Sequence, residues 1–548
     1  AQTPADGVDR SRPPELGPPP SFDLPEIRHL SLSNGLPVLL LEKHEVPIVQ
    51  VDLTILAGST AEPAERPGVA GMTAAMLDEG AAGRSALELA DEVDVLGADL
   101  STGAGEHTAS VSLHVPVARL EPALALMADV ALRPDFPAAE LDRQRVDRLT
   151  EILQWRDEPA AIAGLEFDRT LYGSAHPYGV PNVGTAASLA GMTVEDLRAF
   201  HEGRYRPGAA TLVVVGDVTP EAVLPLLERA FGAWQGPAGG APEEPPVEQV
   251  AGRRILLIDK PGAEQSEIRI GRIGAHRLTE DYFPLVVMNT ILGGSFTSRL
   301  NQNLREDKGY SYGAFSGFAF RPWRGPFLAA AAVQTEVTAE ALTEFMKELR
   351  GILERVPEEE LERARNYVAL GFPSTFQTVA GTAGALGELA LYDLPDDYFD
   401  RYIERVLAVT ADDVQRVAAE HLDPDRVAIV VVGDLERIEA PVRSLDLGPV
   451  ETLSVEDVLG PPPEMHHDRP PGSVEREATG GQARGLRSAR RAQTTRAAYR
   501  GDSRTPRRTR PSERRRARAH RQERDAFFLT LGEDRRAGWP LPATAPDT

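Results

Sequence analysis

The sequence predicts an α+β protein made of two homologous domains, each an antiparallel sheet with helices packed on one face. Three observations carry this prediction. Strand patterns precede runs of helical patterns in both halves of the 548-residue chain, an order typical of α+β domains. The end of the first half repeats in the second at a constant offset. A Gly-, Pro- and Glu-rich segment without periodicity separates the halves, as a linker would.

The first half begins with a Pro-rich lead over residues 1–24 and continues as a domain over 25–234. The dipeptide Asn34-Gly35 lies between two apolar runs and predicts a hairpin. A third strand, two helical stretches and two more strand patterns follow. Four helical patterns then lead to a buried-type strand at 211–215. This order of elements is the one that the second half repeats.

The linker covers residues 235–250, and the second domain covers 251–450. The stretch TVEDLRAF…RPGAATLVVVGDV matches TADDVQRV…DPDRVAIVVVGDL without a gap, so that Thr193 aligns with Thr410 and Gly216 with Gly433. A constant offset of 217 residues over this length indicates two copies of one domain.

Residues 451–548 form a low-complexity, Arg-rich tail. With few apolar residues, it is expected to be disordered, because it cannot bury enough surface to offset its ordering entropy. A basic tail could bind nucleic acid or anionic lipid. An out-of-frame translation of a GC-rich gene would give the same composition, so no function is assigned to the tail.

Charge and composition narrow the function of the remainder. Residues 1–468 carry a net charge of −35 and residues 469–548 one of +11, and an acidic body argues against nucleic acid as a partner. There is no cysteine, which excludes disulfides and Cys-ligated zinc. No apolar run is long enough for a transmembrane segment. The start at Ala1 before the Pro-rich lead is typical of a mature end after signal-peptide cleavage, which predicts a periplasmic or exported protein; a chain trimmed at an arbitrary point would have the same start.

The stretch ILGGSFTSRLNQNLREDKGYSYGAFSGFAF, at 291–320, predicts a helix from about Phe296 to Arg305, a turn at Gly309 and then a strand. This order brings Arg305 and Tyr312 to one corner. A guanidinium and a phenol both donate hydrogen bonds of the kind that stabilise a developing oxyanion. The alternative is a solvated surface arginine beside a tyrosine packed in the core.

Several long segments in a fixed order resemble one family. They are SLSNGLPVLLLEK, AGSTAEPAERPGVAGMTAAMLDEG, RSALELADEVDVLGADL, LYGSAHPYGVPNVGT, the two VVVGD strands and LGGSFTSRLNQNLREDKGYSYGAFSG. They are similar to segments of the M16 (pitrilysin-type, or inverzincin) metallopeptidases, especially the short-chain branch that includes mitochondrial processing peptidase. The resemblance covers roughly residues 24–449.

Active members of that family carry H-x-x-E-H on the helix after the second strand, with two zinc-binding His and a Glu that activates water. In this chain the corresponding positions are Gly71, Ala74 and Ala75. A third, acidic ligand position falls at about Glu151 and is retained. None of the eleven His forms an H-x-x-x-H pair. The resemblance therefore implies no metal site and no cofactor in this chain.

The family's second domain contributes an Arg and a Tyr, spaced Arg-x6-Tyr, that contact the substrate carbonyl, and Arg305 and Tyr312 have this spacing. Tyr310 is the near competitor. The resemblance thus implies the zinc-less subunit of a heterodimeric peptidase, acting on unfolded peptides with a zinc-carrying H-x-x-E-H partner chain. A catalytically inert structural or peptide-binding homologue is the alternative, and an enzyme with its own site is a third possibility.

Overall fold

In this computed structural model, residues 22–236 and 240–463 are described. The predictions for the Pro-rich lead and for most of the Arg-rich tail fall on residues 1–21 and 464–548, outside these ranges. None of the helices within the described ranges combines the length and the apolar character that a membrane span requires.

The order of elements in the first domain follows the prediction, except that five helices instead of four lie between residues 117 and 204 and that a short two-stranded sheet is added. Its strands are β1 (Arg28–Ser31), β2 (Pro37–Glu42), β3 (Ile48–Ile55), β4 (Gly80–Ala81), β5 (Arg84–Ser85), β6 (Asp99–Ala104), β7 (Ala109–Pro116) and β8 (Ala210–Gly216). Its helices are α1 (Val69–Met76), α2 (Ala86–Leu96), α3 (Leu120–Leu132), α4 (Ala138–Trp155), α5 (Pro159–Tyr172), α6 (Ala186–Ala190), α7 (Val194–Arg204) and α8 (Pro220–Phe231). Six strands form one sheet in the order β1-β2-β8-β3-β7-β6.

The second domain repeats this plan. Its strands are β9 (Arg254–Asp259), β10 (Gln265–Ile273), β11 (Ser311–Phe318), β12 (Pro326–Gln334), β13 (Ala428–Gly433) and β14 (Val450–Ser454). Its helices are α9 (Tyr282–Leu292), α10 (Arg299–Asn301), α11 (Thr338–Gly351), α12 (Glu358–Gly371), α13 (Val379–Tyr392), α14 (Tyr402–Ala408), α15 (Ala411–His421), α16 (Leu435–Ser444) and α17 (Val455–Leu459). The sheet order is β11-β12-β10-β13-β9-β14.

The internal repeat extends to the sheet topology and to the helix caps. Read from opposite ends, β2-β8-β3-β7-β6 and β9-β13-β10-β12-β11 are the same arrangement of five strands. Thr193 and Thr410 each begin a helix with a capping box, closed by Asp196 and Asp413 respectively. The α+β class with two homologous domains is therefore confirmed. Most strand pairs are antiparallel, while β2–β8, β9–β13 and β9–β14 are parallel.

The second domain continues beyond the predicted boundary at residue 450. Strand β14 pairs in parallel with β9 from Val450 to Ser454, and α17 follows it directly. The boundary was placed too early because the segment Val450–Ser454 has little apolar character of its own. Its place in the sheet is fixed by pairing with β9, which a local pattern cannot show.

Each sheet is covered on its second face by a helix from the other domain. Helix α5 of the first domain packs on the second sheet, where Phe167 lies among Leu256, Ile258, Val430 and Val432. Helix α13 of the second domain packs on the first sheet, where Leu386 lies among Leu39, Leu41, Val213 and Val215. This exchange explains why strands β8 and β13 are continuous apolar runs, because both of their faces are buried.

A polar cluster also joins the domains. Arg321 of the second domain forms an ion pair with Glu106 of the first, at 2.9 Å, and lies over the ring of Tyr178. His107 shares a hydrogen bond of 2.5 Å with the Tyr178 hydroxyl and packs edge-on against Trp323. Burial lowers the pKa of His107 to about 4, so the imidazole is neutral in this cluster at neutral pH.

Candidate functional site

The three degenerate zinc-motif positions lie on helix α1. The helix follows Gly68, whose positive φ of 88° suits a glycine. Gly71 and Ala75 are half-buried, one helical turn apart, and Ala74 is fully buried. None of the three side chains has an atom that can ligate a metal. The positions that the family uses for zinc therefore do not fit zinc in this chain.

A guanidinium lies where the first of these side chains would project. A Cβ atom built on Gly71 would be 3.3 Å from Nη1 of Arg148 and 3.0 Å from the carbonyl oxygen of Asn182. Arg148 belongs to helix α4, one turn before Glu151. A fixed positive charge at this place opposes the binding of a dication. The sequence shows that the ligands are missing but does not indicate this arginine, because only the packing of α4 against α1 brings it to this place.

Glu62 holds the beginning of the same helix. Its carboxylate accepts hydrogen bonds from the backbone N–H groups of Gly68 (3.0 Å) and Ala70 (2.7 Å). Burial raises the pKa of Glu62 to about 7, while these two hydrogen bonds and the charge of Arg148 act in the opposite direction. Glu62 thus binds the N-terminal backbone of α1, close to the charge of Arg148.

One group of three potential metal ligands occurs within the described part of the chain, and it lies elsewhere: Asp281, Glu420 and His421. His421 Nε2 lies 2.9 Å from Asp281. Arg416 donates to Asp281 at 2.7 Å and to Glu420 at 3.1 Å. Because one guanidinium already binds both carboxylates, this group is an ion-pair cluster.

Arg305 lies in a π-helix. The helix predicted from Phe296 to Arg305 begins instead at Arg299, after the extended residue Ser298, and passes from α10 into a π-helical turn, Gln302–Asp307. Turns of this type are rare and are frequent at functional sites. The Arg305 side chain is about one-third exposed. Its guanidinium lies 4.5 Å from the ring centroid of Phe296, with Glu306 3.4 Å away.

Tyr312 projects from an irregular edge strand. Strand β11 lies at one end of the second sheet, and its register against β12 shifts between Ser311 and Ala314, so that Tyr312 and Gly313 form a β-bulge. Bulges redirect side chains and are common beside active sites. Tyr312 is 89% exposed. The alternative in which it is a packed core residue is therefore wrong.

Tyr310 is built differently from Tyr312. It is half-buried and packs against the core of the second domain. Its backbone joins the π-helical turn to β12, since its N–H donates to the Leu304 carbonyl and its own carbonyl accepts from the Gln334 N–H. Tyr310 thus anchors the turn, while Tyr312 presents its hydroxyl to the exterior. An exposed phenol and a partly exposed guanidinium can each donate hydrogen bonds to an oxygen outside the chain.

Fold and site together define a two-domain peptidase-like protein whose own zinc motif has no ligands. Two family models match the chain: "Insulinase (Peptidase family M16)" over residues 37–174 and "Peptidase M16 inactive domain" over residues 191–368. The chain also resembles the crystal structure of a peptidase M16 inactive domain from Pseudomonas fluorescens, with a TM-score of 0.70 and 31% identity, over 74% of this chain and 98% of that one. This protein belongs to the M16 peptidase family.

Two curated relatives have the name of uncharacterized zinc proteases. The protein of Mycobacterium leprae is 32% identical over 289 residues, which are 52% of this chain and 64% of the relative. The protein of Mycobacterium bovis is 28% identical over 414 residues, which are 74% of this chain and 93% of the relative. The name refers to zinc, whereas the motif positions of the present chain do not fit a zinc ion.

Proposed function

We propose that this chain is the zinc-less subunit of a two-chain M16 peptidase, in which Arg305 and Tyr312 complete the active site of a partner that carries H-x-x-E-H and the zinc. The observation that carries the proposal is a contrast within one molecule. The three zinc-motif positions have no ligand atom, and Gly71 among them lies beside Arg148, whereas Arg305 and Tyr312 are kept on irregular backbone.

The exposure of Tyr312 supports a role outside the chain. A side chain that is 89% exposed contributes little to the stability of the fold that carries it. Two further aromatic residues of the stretch 291–320 are exposed, Phe296 at 59% and Phe315 at 36%. Exposed aromatic residues are enriched at binding surfaces. A partner or a peptide would cover them.

The chemistry of the pair suits peptide hydrolysis. When water attacks a peptide bond, negative charge develops on the carbonyl oxygen. The Tyr312 hydroxyl and the Arg305 guanidinium can both donate to that oxygen, and the planar guanidinium can do so with two parallel N–H groups.

The substrate class follows from the sheet edges. Strands β6 and β11 are each one of the two terminal strands of their sheet and are paired on one side only within the described residues. An unfolded peptide can add to such an edge as a further strand, with main-chain hydrogen bonds giving affinity largely independent of sequence. We therefore propose extended peptides as the substrate of the two-chain peptidase.

Co-purification from the native source tests this proposal. A tagged form of the full chain should bring down one H-x-x-E-H partner, with about one zinc per pair and cleavage of a quenched peptide only when both chains are present. The proposal is overturned if the isolated chain holds a tightly bound zinc or cleaves the peptide. It is also overturned if the bound partner cleaves equally well alone, which favours the inert, structural homologue.

A further inference from the structure

Arg305 and Tyr312 each lie on irregular backbone. The π-helical turn Gln302–Asp307 carries Arg305, and the bulge between Ser311 and Ala314 carries Tyr312. Neither geometry is the default of a helix or an edge strand. Each therefore needs side chains that satisfy the backbone groups left without regular partners.

Asn301 supplies contacts to the bulged strand and to Phe296. It is 5% exposed and lies directly before the π-helical turn. Its Oδ1 accepts a hydrogen bond of 3.2 Å from the backbone N–H of Ala314, the residue at which regular pairing resumes after the bulge. Its Nδ2 donates a hydrogen bond of 2.6 Å to the carbonyl oxygen of Phe296. One buried amide thus joins the loop that begins at Gly293-Gly294 and contains Phe296, here called the Gly-Gly loop, to the bulged strand.

Each of the two hydrogen bonds of Asn301 fixes the surroundings of one residue, either Arg305 or Tyr312. The Phe296 ring lies against the guanidinium of Arg305, so the bond to the Phe296 carbonyl fixes the loop that flanks Arg305. The bond from Ala314 closes the bulge on its C-terminal side, while the Ser311 hydroxyl bonds to both the N–H and the carbonyl of Gly313 within it. Tyr312 lies between these two fixed points.

We propose that Asn301 is a positioning residue, which holds Tyr312 and the Phe296–Arg305 contact in one fixed arrangement. This inference rests on the proposed function for its catalytic consequence, but its structural part does not. Asn301 does not reach the exterior itself. It acts through the bulge and the loop, and a small displacement of either would misplace the hydrogen-bond donors of the pair.

Asn303 provides a matched control. It lies two residues further on, in the π-helical turn, and is equally buried at 6% exposure. Its Nδ2 donates to the carboxylates of Glu344 and Glu348 on α11, away from β11. Asn303→Ala therefore removes a buried amide from the same turn without removing a contact to the bulge or to the Gly-Gly loop.

Hydrogen exchange on the full chain tests the structural part without a partner. In Asn301→Ala, amides in the segment 311–315 should exchange at least about ten-fold faster, because the Ala314 N–H loses its acceptor. Asn301→Asp keeps an acceptor for the Ala314 N–H but loses the donor to the Phe296 carbonyl, so its protection should lie between those of the wild type and Asn301→Ala. Asn303→Ala should leave this segment unchanged. Equal exchange in Asn301→Ala and the wild type, or equal acceleration in both alanine variants, overturns the proposal.

A double-mutant cycle in the reconstituted pair tests the catalytic part. Asn301→Ala should lower kcat by about ten- to a hundred-fold, with KM and complex formation little changed, and Asn301→Asp should recover part of the loss. In a Tyr312→Phe background the effect should shrink markedly, since both changes act on one hydrogen-bond donor. Additive losses overturn the proposal. If Tyr312→Phe is itself fully active, the proposed function fails, and the exchange experiment still decides the role of Asn301 in the bulge.

Discussion

The guanidinium of Arg148 lies beside Gly71, at the place where an active family member has its first zinc-binding histidine. A Cβ atom on Gly71 would lie 3.3 Å from Arg148 Nη1, which is closer than ordinary van der Waals contact. A histidine at this position would therefore need Arg148 to move. The loss of zinc chemistry thus involves the surroundings of the motif as well as its three residues.

Restoring the three motif residues alone should not give a tight zinc site. The triple variant Gly71→His, Ala74→Glu, Ala75→His should bind zinc at least about ten-fold more weakly than the same variant with Arg148→Ala added, because a fixed guanidinium repels the dication. Metal stoichiometry after dialysis and calorimetric titration measure the difference. Arg145→Ala is the control, since Arg145 on the same helix binds the carbonyls of Leu189 and Met192 instead. Equal zinc affinity with and without Arg148 contradicts the prediction.

Because α5 and α13 each pack on the sheet of the other domain, a destabilising substitution in one domain should also destabilise the other. Leu386→Ala on α13 removes a fully buried side chain from the face of the first sheet and should cost about 2–5 kcal/mol. Hydrogen exchange should then accelerate in β8, which belongs to the other domain. Leu342→Ala, on α11 within the core of the second domain, is the matched control and should affect β12 more than β8. If hydrogen exchange accelerates only within α13 itself, the packing of each domain's helix on the other domain's sheet is not a source of stability.

Protonation of His107 at acid pH should weaken the contact between the two domains. Its pKa is lowered to about 4 by burial, with the charge of Arg321 acting in the same direction and that of Glu106 opposing both. The unfolded chain binds a proton near pH 6.5 and the folded chain only near pH 4. Stability from this group is therefore complete above pH 6.5 and is lost as the pH falls to about 4, by up to about 3 kcal/mol.

Glu62 also titrates, with a raised pKa, and it changes the stability with pH in the opposite direction. The contribution of His107 is therefore isolated by comparing variants with the wild type. Denaturant unfolding of His107→Gln, measured from pH 7 to pH 4, should show a flatter loss of stability than the wild type. Leu386→Ala introduces no titrating change and should lower the whole curve evenly. Parallel curves for His107→Gln and the wild type would show that His107 does not titrate in this way.

The sequence was sufficient where local pattern and repeat agree. The hairpin at Asn34-Gly35, the repeat that aligns Thr193 with Thr410 and the absence of zinc ligands on α1 can all be read from the sequence itself. Arg148, Glu62 and Asn301 were missed because their roles depend on contacts between distant segments. The start of the helix before Arg305 was misplaced because Ser298 is extended, and the apolar residue Phe296 belongs to a loop.

The central claim is that Arg305 and Tyr312 act in the partner's active site, and the most direct test is kcat of the reconstituted pair with Tyr312→Phe. Loss of one oxyanion donor should lower kcat by about 10²–10³, with unchanged complex formation and melting temperature, since Tyr312 is exposed. Arg305→Lys should also fail, because an ammonium does not reproduce the planar guanidinium, whereas Tyr310→Phe should be milder. Full activity of both Tyr312→Phe and Arg305→Ala in an intact complex would contradict the account.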